Sequence, residues 1–363
     1  MKKQWFSTLV ALMLLALGLA GPAARAAEAG KNAPNPWPAA ADIDPFMGDY
    51  DGTWHVADDG FMPAYARIIA RGSGDYQVVL YVGGYPNADE KTRIEGSGQV
   101  SGGQLQFTAK ALNGPRNERW QGTVVKGQLT AANDGHDEFA FKRIERQSPT
   151  LGAKPPKGAA ILMPYEPGQP TTLDAWTNPK WKILSDGSVQ VTHEDLMSKQ
   201  KFGDAQVHVE FCLPFMPLES GQGRANSGVY LQNRYEVQVL DSFGLVERDD
   251  DCGGIYHNAA PLLNAEYPPL AWQTYDIIIR AARFDADCDT TDLPLFTVYL
   301  NGVLIQKSVV VPSPTPGSAP GNTKRGELRL QDHLNPVRYR NVWVLERGDI
   351  PYKGGTELAP LVK

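Results

Sequence analysis

Cysteine is scarce. The chain of 363 residues has three, Cys212, Cys252 and Cys288. None stands at metal-site spacing from a histidine, and none carries the companion signature of a cysteine nucleophile. Thiol chemistry and a zinc site are therefore poor explanations of this sequence. Three thiols permit one disulfide in any of three pairings, each leaving a thiol over. A basic tract is also missing, and the formal net charge is −6, which argues against a nucleic-acid partner. There is no P-loop and no glycine-rich dinucleotide fingerprint. Helical periodicity is almost absent. The one long apolar run, "TLVALMLLALGLA", is short for a confident membrane span.

That run has the flanks of an export signal. Lys2 and Lys3 precede it, and Ala24-Arg25-Ala26 suits signal-peptidase cleavage. Residues 1–26 are thus expected to be a signal peptide, and the mature protein periplasmic or secreted, with no membrane association once the signal is cut. The remainder, about 335 residues, suggests two domains. Residues 27–44 are a Pro/Ala-rich lead-in.

From 45 to 146 the pattern is all-β. "YARIIARG", "YQVVLYVGG", "RIEGSGQV", "QLQFTAKAL", "RWQGTVV" and "DEFAFKRIER" are short runs separated by "GSGD", "SGG" and "VKGQ", which suit hairpin turns. This spacing predicts a β-meander closed as a small barrel or stacked as a sandwich. His55, Asp58 and Asp59 are near one another there, on a turn-rich segment where solvated charge is the default reading. Residues 147–159 read as a linker. Residues 160–347 form a second all-β domain and 348–363 a tail. "LNG" between "FTVY" and "VLIQ" predicts an Asn-Gly hairpin.

Residues two apart in a strand share a face. In "AQVHVEF", Val207, Val209 and Phe211 go inward, leaving Gln206, His208 and Glu210. In "NSGVYLQNR", Val229 and Leu231 go inward, leaving Asn226, Tyr230, Gln232 and Arg234. "YEVQVLD" leaves Glu236 and Gln238, and "GELRLQDH" leaves Arg329, Gln331 and His333. This second face has almost no lysine. Amides, carboxylates and aromatics are the groups that pair with sugar hydroxyls beside flat apolar surface. Glu210 and Glu236, if on neighbouring strands, would lie roughly 5–10 Å apart, a spacing at which two carboxylates can share acid and base roles at a glycosidic bond.

"NSGVYLQNRYEVQVLDSFG", "CGGIYHNAAPLLNA", "PPLAWQTYDIIIRAARFD" and "LRLQDHLNPVRYRNVWV" together resemble the 3-keto-disaccharide hydrolase family, over about residues 160–347. The resemblance implies a concanavalin-like lectin/glucanase β-sandwich (jelly roll) with a sugar site on its concave sheet. It also implies action on glycosides already oxidised at C3. A more distant likeness is to laminarinase-type retaining glucanases, which carry Glu-x-Asp-x-x-Glu on one strand. Here the letters run from Glu236 through Gln238 to Asp241: the helper is an amide and the third carboxylate is shorter. Strict alternation puts Asp241 on the opposite face from Glu236 unless a bulge intervenes. Both departures argue against double displacement.

A C3 ketone acidifies the C2 proton, so a base can remove it as the aglycone leaves C1 by β-elimination, with or without later addition of water. On this reading Glu236 is the base, with Glu210 second, and His333 or Asp241 is the acid. Gln238, Gln331, Arg234 and Asn226 bind the sugar or stabilise the enolate, and Trp272 and Tyr230 are ring platforms. No ligand spacing calls for a cofactor, although a divalent cation could polarise the ketone. The expected partner is an oligosaccharide or glycoside. A non-catalytic lectin on the same sandwich is the competing function, since fold does not fix function.

Overall fold

Alternating apolar residues and tight polar turns build strands joined by long loops in residues 35–56, 60–85, 93–111, 119–348 and 350, which the structure, a computed structural model, describes. The signal-peptide assignment, Asp58 and Asp59, and nearly all of the tail lie outside them. Eight strands in succession form the first region: β1 (Gly48–Val56), β2 (Gly60–Gly72), β3 (Asp75–Val82), β4 (Arg93–Ser101), β5 (Gln104–Ala111), β6 (Arg119–Val125), β7 (Gln128–Asn133) and β8 (Glu138–Ile144). Each pairs with the next, and β1 also pairs antiparallel with β8, closing a barrel. Closure removes the exposed edges that an open meander would keep. Two of these strands escape a simple hydrophobic reading. β1 has Gly and Asp among its inward and outward positions, and β7 turns small side chains such as Ala131 inward beside Leu129. His55 sits in β1 with its ring 4.7 Å from that of Phe61.

The second region is a two-sheet sandwich. One sheet has five strands in the order β10 (Trp176–Thr177), β13 (Leu196–Phe202), β22 (Gly326–Leu330), β15 (Ser227–Leu231), β16 (Tyr235–Val239). The other has eight: β11 (Lys182–Ile183), β12 (Val189–Gln190), β23 (Arg338–Glu346), β14 (Ala205–Cys212), β17 (Trp272–Arg280), β20 (Leu295–Leu300) and β21 (Val303–Val310) in that order, with β9 (Ala160–Met163) paired to β23. A small ribbon of β18 (Arg283–Phe284) and β19 (Thr290–Asp292) stands apart. The layers share one core: Val207, Val209 and Phe211 from β14 and Ile277 and Ile279 from β17 meet Val229, Leu231, Val237, Val239 and Leu330. Asn301 and Gly302 both take positive φ at the β20–β21 turn, as the Asn-Gly expectation requires.

The cysteines are free. Cys252 is in the interlayer core with its Sγ 3.2 Å from the Tyr275 hydroxyl, and Cys288 is exposed. Cys212 is buried too, but it points away from that core, and burial pushes its thiol up to about 12.

Barrel and sandwich are joined through buried arginines. Arg67 on β2 donates to Asp49 (3.3 Å), to the Asn264 side chain (2.9 Å) and to the Glu266 carbonyl (3.2 Å), and its guanidinium lies 4.9 Å from the Phe243 ring centre. Arg93 reaches the Gly244 carbonyl at 2.7 Å. Gly244 itself has φ +72, and a Cβ there would meet Ile69 at 2.7 Å, so only glycine lets the loop lie this close to the barrel wall. A buried pair that loses one partner strands the other charge. Arg67→Ala should therefore cost about 3–5 kcal/mol in urea unfolding. Lys180→Ala, which breaks the exposed pair with Glu194, should cost less than about 1 kcal/mol. Equal losses would show that Arg67 does not carry the junction.

Candidate active site on the five-stranded sheet

Strand pleating sends Tyr235, Val237 and Val239 of β16 into the interlayer core and turns Glu236 and Gln238 to the outer face. Register then builds two rows across three strands. Glu236 is opposite Tyr230 on β15, and Tyr230 is opposite Arg329 on β22. In the next row Gln238 is opposite Gly228, whose carbonyl accepts from the Gln331 backbone N–H at 2.9 Å. Within the first row the Tyr230 hydroxyl donates to Glu236 Oε2 at 2.8 Å. The Arg329 guanidinium is stacked 3.6 Å from the centre of the Tyr230 ring, and it pairs with Asp195 at 3.5 Å. Gln331 Nε2 donates to the same tyrosine hydroxyl at 3.2 Å.

Gly228 makes room for the carboxylate. A Cβ at this position would lie 2.2 Å from Glu236 Oε1. Asn226 and Gln238 both donate to Gln222 Oε1 at 2.9 Å, and Gln222 Nε2 donates to the Asp250 carbonyl at 2.8 Å. The free edge of β16 is covered by the loop after it. Gly253 and Gly254 exchange backbone bonds with Gln238, and the Tyr256 N–H donates to the Glu236 carbonyl at 3.1 Å.

Glu236 is 3 % exposed. Burial pushes its pKa up to about 7, against the opposing pulls of the Tyr230 hydrogen bond and of Arg329. A carboxyl poised there exchanges a proton near neutrality, as a general base must. Several buried polar atoms around it have no protein partner among the described residues: Asn226 Oδ1, Gln331 Oε1, Asp250 Oδ1 and Arg329 Nε. Two amide acceptors and one cationic donor on this face, with the Asp250 carboxylate on the loop that covers it, suit a ligand rich in hydroxyls with an electron-rich oxygen.

Of the residues singled out in the sequence, Asn226, Tyr230, Glu236, Gln238 and Gln331 come together here. His333 is exposed on the loop that follows β22, beside Gln331 and Asp332. Glu210 is elsewhere. It is on β14 of the other sheet and points away from the shared core. Sheets pack about 10 Å apart, so the two carboxylates, facing outward on opposite sides, are separated by more than that and cannot act as a pair. Glu210 instead accepts from the Gly152 backbone (2.6 Å), Asn341 (2.8 Å) and Arg340 (2.6 Å). His208 lies beside it, bonded to Asp276 at 2.8 Å and stacked 5.1 Å from Trp343. Thr150 also donates to Asp276, at 2.7 Å. This network fastens residues 148–153 to the sheet.

Trp272 belongs to that other side as well, with Arg340 4.0 Å from its ring centre, so it is no platform beside Glu236. Asp241 follows β16 and accepts from Arg224 Nε at 2.6 Å, while Arg224 also donates to the Ala70 carbonyl of the barrel. Its carboxylate is committed to a buried ion pair with Arg224, away from the Glu236 face. Gln232 and Arg234 lie in the β15–β16 turn, where Gln232 and Asn233 take positive φ. Gln232 Nε2 donates to the Phe202 carbonyl and Arg234 to that of Gly321. Both pin loops.

Alternation could not find Asp195, Gln222, Asp250 or Tyr256. None of the four is on a strand, Gln222 being in a single 3-10 turn (Gly221–Gly223) and the others on loops, so no period marks a face. Arg329 was placed on the polar face, but only its stacking on Tyr230 marks it as part of the site.

Residues 167–345 match the family described as 3-keto-alpha-glucoside-1,2-lyase-like domain. The chain belongs to this family. Its sandwich is accordingly a carbohydrate-active domain of glycosidase type. No curated protein matches the chain. Among solved structures, it is similar to a Parabacteroides distasonis protein given provisionally as a glycosyl hydrolase, with 33% identity, 53% of this chain and 85% of that one covered, and a TM-score of 0.47. A second protein of the same organism and description shares 17% identity over 48% of this chain and 95% of its own, with a TM-score of 0.37.

Two titrations check this geometry. In carboxyl-carbon NMR, Glu236 should titrate near pH 7, and higher in Tyr230→Phe, because the lost hydrogen bond had favoured the charged form. A Glu236 midpoint near pH 4.5 in the wild type would show that the carboxylate is solvated. Burial lowers the His208 pKa, but the hydrogen bond to Asp276 and the Glu210 carboxylate 3.6 Å from Nε2 outweigh it and raise His208 from 6.5 to about 9. A raised histidine adds stability that is fully present below about pH 6.5 and is lost as pH rises through about 9. The melting temperature of wild type should thus fall more between pH 6.5 and 9.5 than that of His208→Gln. Parallel curves would refute a charged His208 in the fold.

Proposed function

We propose that the sandwich cleaves the glycosidic bond of 3-keto-glycosides or 3-keto-disaccharides by β-elimination. The observation that carries this reading is one desolvated carboxylate, Glu236, at the centre of a face rich in unpartnered hydrogen-bonding groups, while the nearby carboxylates Asp195 and Asp250 are paired with Arg329 and Arg248. Direct displacement at an unactivated glycoside needs two carboxyl groups flanking the bond. A ketone at C3 removes that need.

In the proposed step the Glu236 carboxylate takes the C2 proton. The C2–H electron pair forms the C1–C2 double bond of the eliminated product after passing through an enolate whose charge resides on the C3 oxygen, and the C1–O bond to the aglycone breaks with its electron pair. The aglycone oxygen gains a proton, for which His333 at the rim is the candidate donor. The products are a 2-hydroxy-3-keto-glycal and an alcohol, and addition of water across the double bond makes the net reaction hydrolysis. Arg329, cationic and with an unpartnered buried Nε, suits the enolate oxygen. Asn226, Gln331 and Asp250 suit the remaining hydroxyls. Tyr230 orients Glu236 through its hydrogen bond, and Arg329 stacked on its ring holds it in place. The leader-like character of residues 1–26 supports action outside the cytoplasm.

Purified protein should release alcohol from a methyl 3-keto-glucoside and leave the unoxidised glucoside intact, with the glycal visible by NMR. Glu236→Gln should lower kcat by about 10²–10⁴, the range for a positioned general base, and still bind the keto-glucoside. Equal cleavage of the unoxidised glucoside would sink the elimination mechanism. Unaltered turnover in Glu236→Gln would remove Glu236 as the base, and ligand binding without cleavage by the wild type would favour a lectin.

A further inference from the structure

The loop after β22 runs along the rim of this site and holds one residue in an unusual state. Leu334 has φ +64 and is 89 % exposed. A bulky residue in the left-handed region is a genuine outlier, and such strain persists only where the surroundings enforce it. Here they do. At one end of the loop the Gln331 N–H donates to the Gly228 carbonyl at 2.9 Å, and at the other Asn335 Oδ1 accepts from the Asn226 N–H at 2.6 Å. Both partners belong to the site's own floor. Between these ends, the Asp332 N–H donates to Asp195 at 2.8 Å and the Leu334 N–H donates to Asp332 at 2.8 Å. The loop is thus fixed against the site, with a leucine displayed at its tip where Asn or Gly would serve the backbone better.

Resting on the reading above, we propose that Leu334 is a specificity-determining residue, the apolar contact for the leaving group of the glycoside. The floor around Glu236 is polar and takes the oxidised sugar through its hydroxyls. The aglycone, leaving from C1, must project from that floor toward the rim. A lone apolar side chain held out there offers nothing to hydroxyls, but it covers an aryl group or the C–H face of a second sugar ring, the two sources of the same apolar chemistry.

The test compares methyl 3-keto-glucoside, phenyl 3-keto-glucoside and a 3-keto-disaccharide, by turnover and by calorimetric binding to the inactive Glu236→Gln protein. Leu334→Asn, which tolerates the left-handed backbone, should reduce the preference for phenyl over methyl roughly tenfold, the size expected when part of a leucine contact is lost. Leu334→Met should restore it. The melting temperature of Leu334→Asn should equal or exceed that of wild type, since backbone strain is relieved. A reduction shared by the disaccharide assigns the contact to a sugar face, and one confined to phenyl assigns it to aryl groups. An unchanged preference, or a lowered melting temperature with an equal loss on all three ligands, overturns the proposal by making Leu334 structural. The binding arm separates the two claims. If wild type cleaves nothing yet binds with a Leu334-dependent preference, the elimination reading fails and this inference stands. If nothing binds, both fall.

Discussion

On β16 the pleat puts Val237 and Val239 on one side and Glu236 and Gln238 on the other, and both sides are buried. The apolar side meets the second sheet. The polar side is covered by Gln222, by the chain around Asp250 and by residues 253–256. Taking a carboxylate out of water raises its pKa unless charge or hydrogen bonds compensate. Here one hydroxyl and one stacked arginine compensate in part, and Glu236 is left near 7. The remainder of the site follows from that cover: loops dense enough to dry Glu236 also bring amide oxygens with no partner of their own.

The same chemistry on the opposite sheet gives a different result. Glu210 is also fully buried, but the neighbouring His208, Asn341 and Arg340 hold its pKa below the usual value despite burial. It is a carboxylate that stays charged and clamps the segment between barrel and sandwich. Two glutamates with similar strand contexts thus divide into a group able to exchange a proton and a structural anchor. The number of donors facing each decides which.

The barrel takes part in the second region's order, because loops near the site rest on its wall. Arg224 follows the turn that carries Gln222 and bridges Asp241 to the Ala70 carbonyl, and Phe243 packs with Tyr65, Ile69, Val79 and Tyr81. A segment that supplies binding groups must be held more firmly than a surface loop holds itself, and the buried arginine contacts supply that constraint.

The all-β class, most of the longer strands and the facing of residues within them were legible in the sequence, because a period of two is a local property of the pleat, whereas β1, β7 and β13 were not. Glu236, Gln238, Tyr230 and Gln331 were found that way. Local period says which residues point away from a core, but not which sheet they belong to, and a sandwich has two outer faces. Gln206, His208 and Glu210 therefore seemed to share a face with Glu236, although β14 and β16 lie in different layers. Trp272 was misplaced for the same reason. Asp241 needed the barrel before its role as the partner of Arg224 could be seen. Asp195, Gln222, Asp250 and Leu334 lie outside the strands, and bonds such as Asp332 to Asp195, 137 residues apart, and Gln238 to Gln222, 16 apart, fix this region rather than any neighbouring pattern. The sequence by itself determined the strands and their two kinds of face. Only the tertiary structure decided which polar groups meet, because strand order and loop closure are properties of the whole chain.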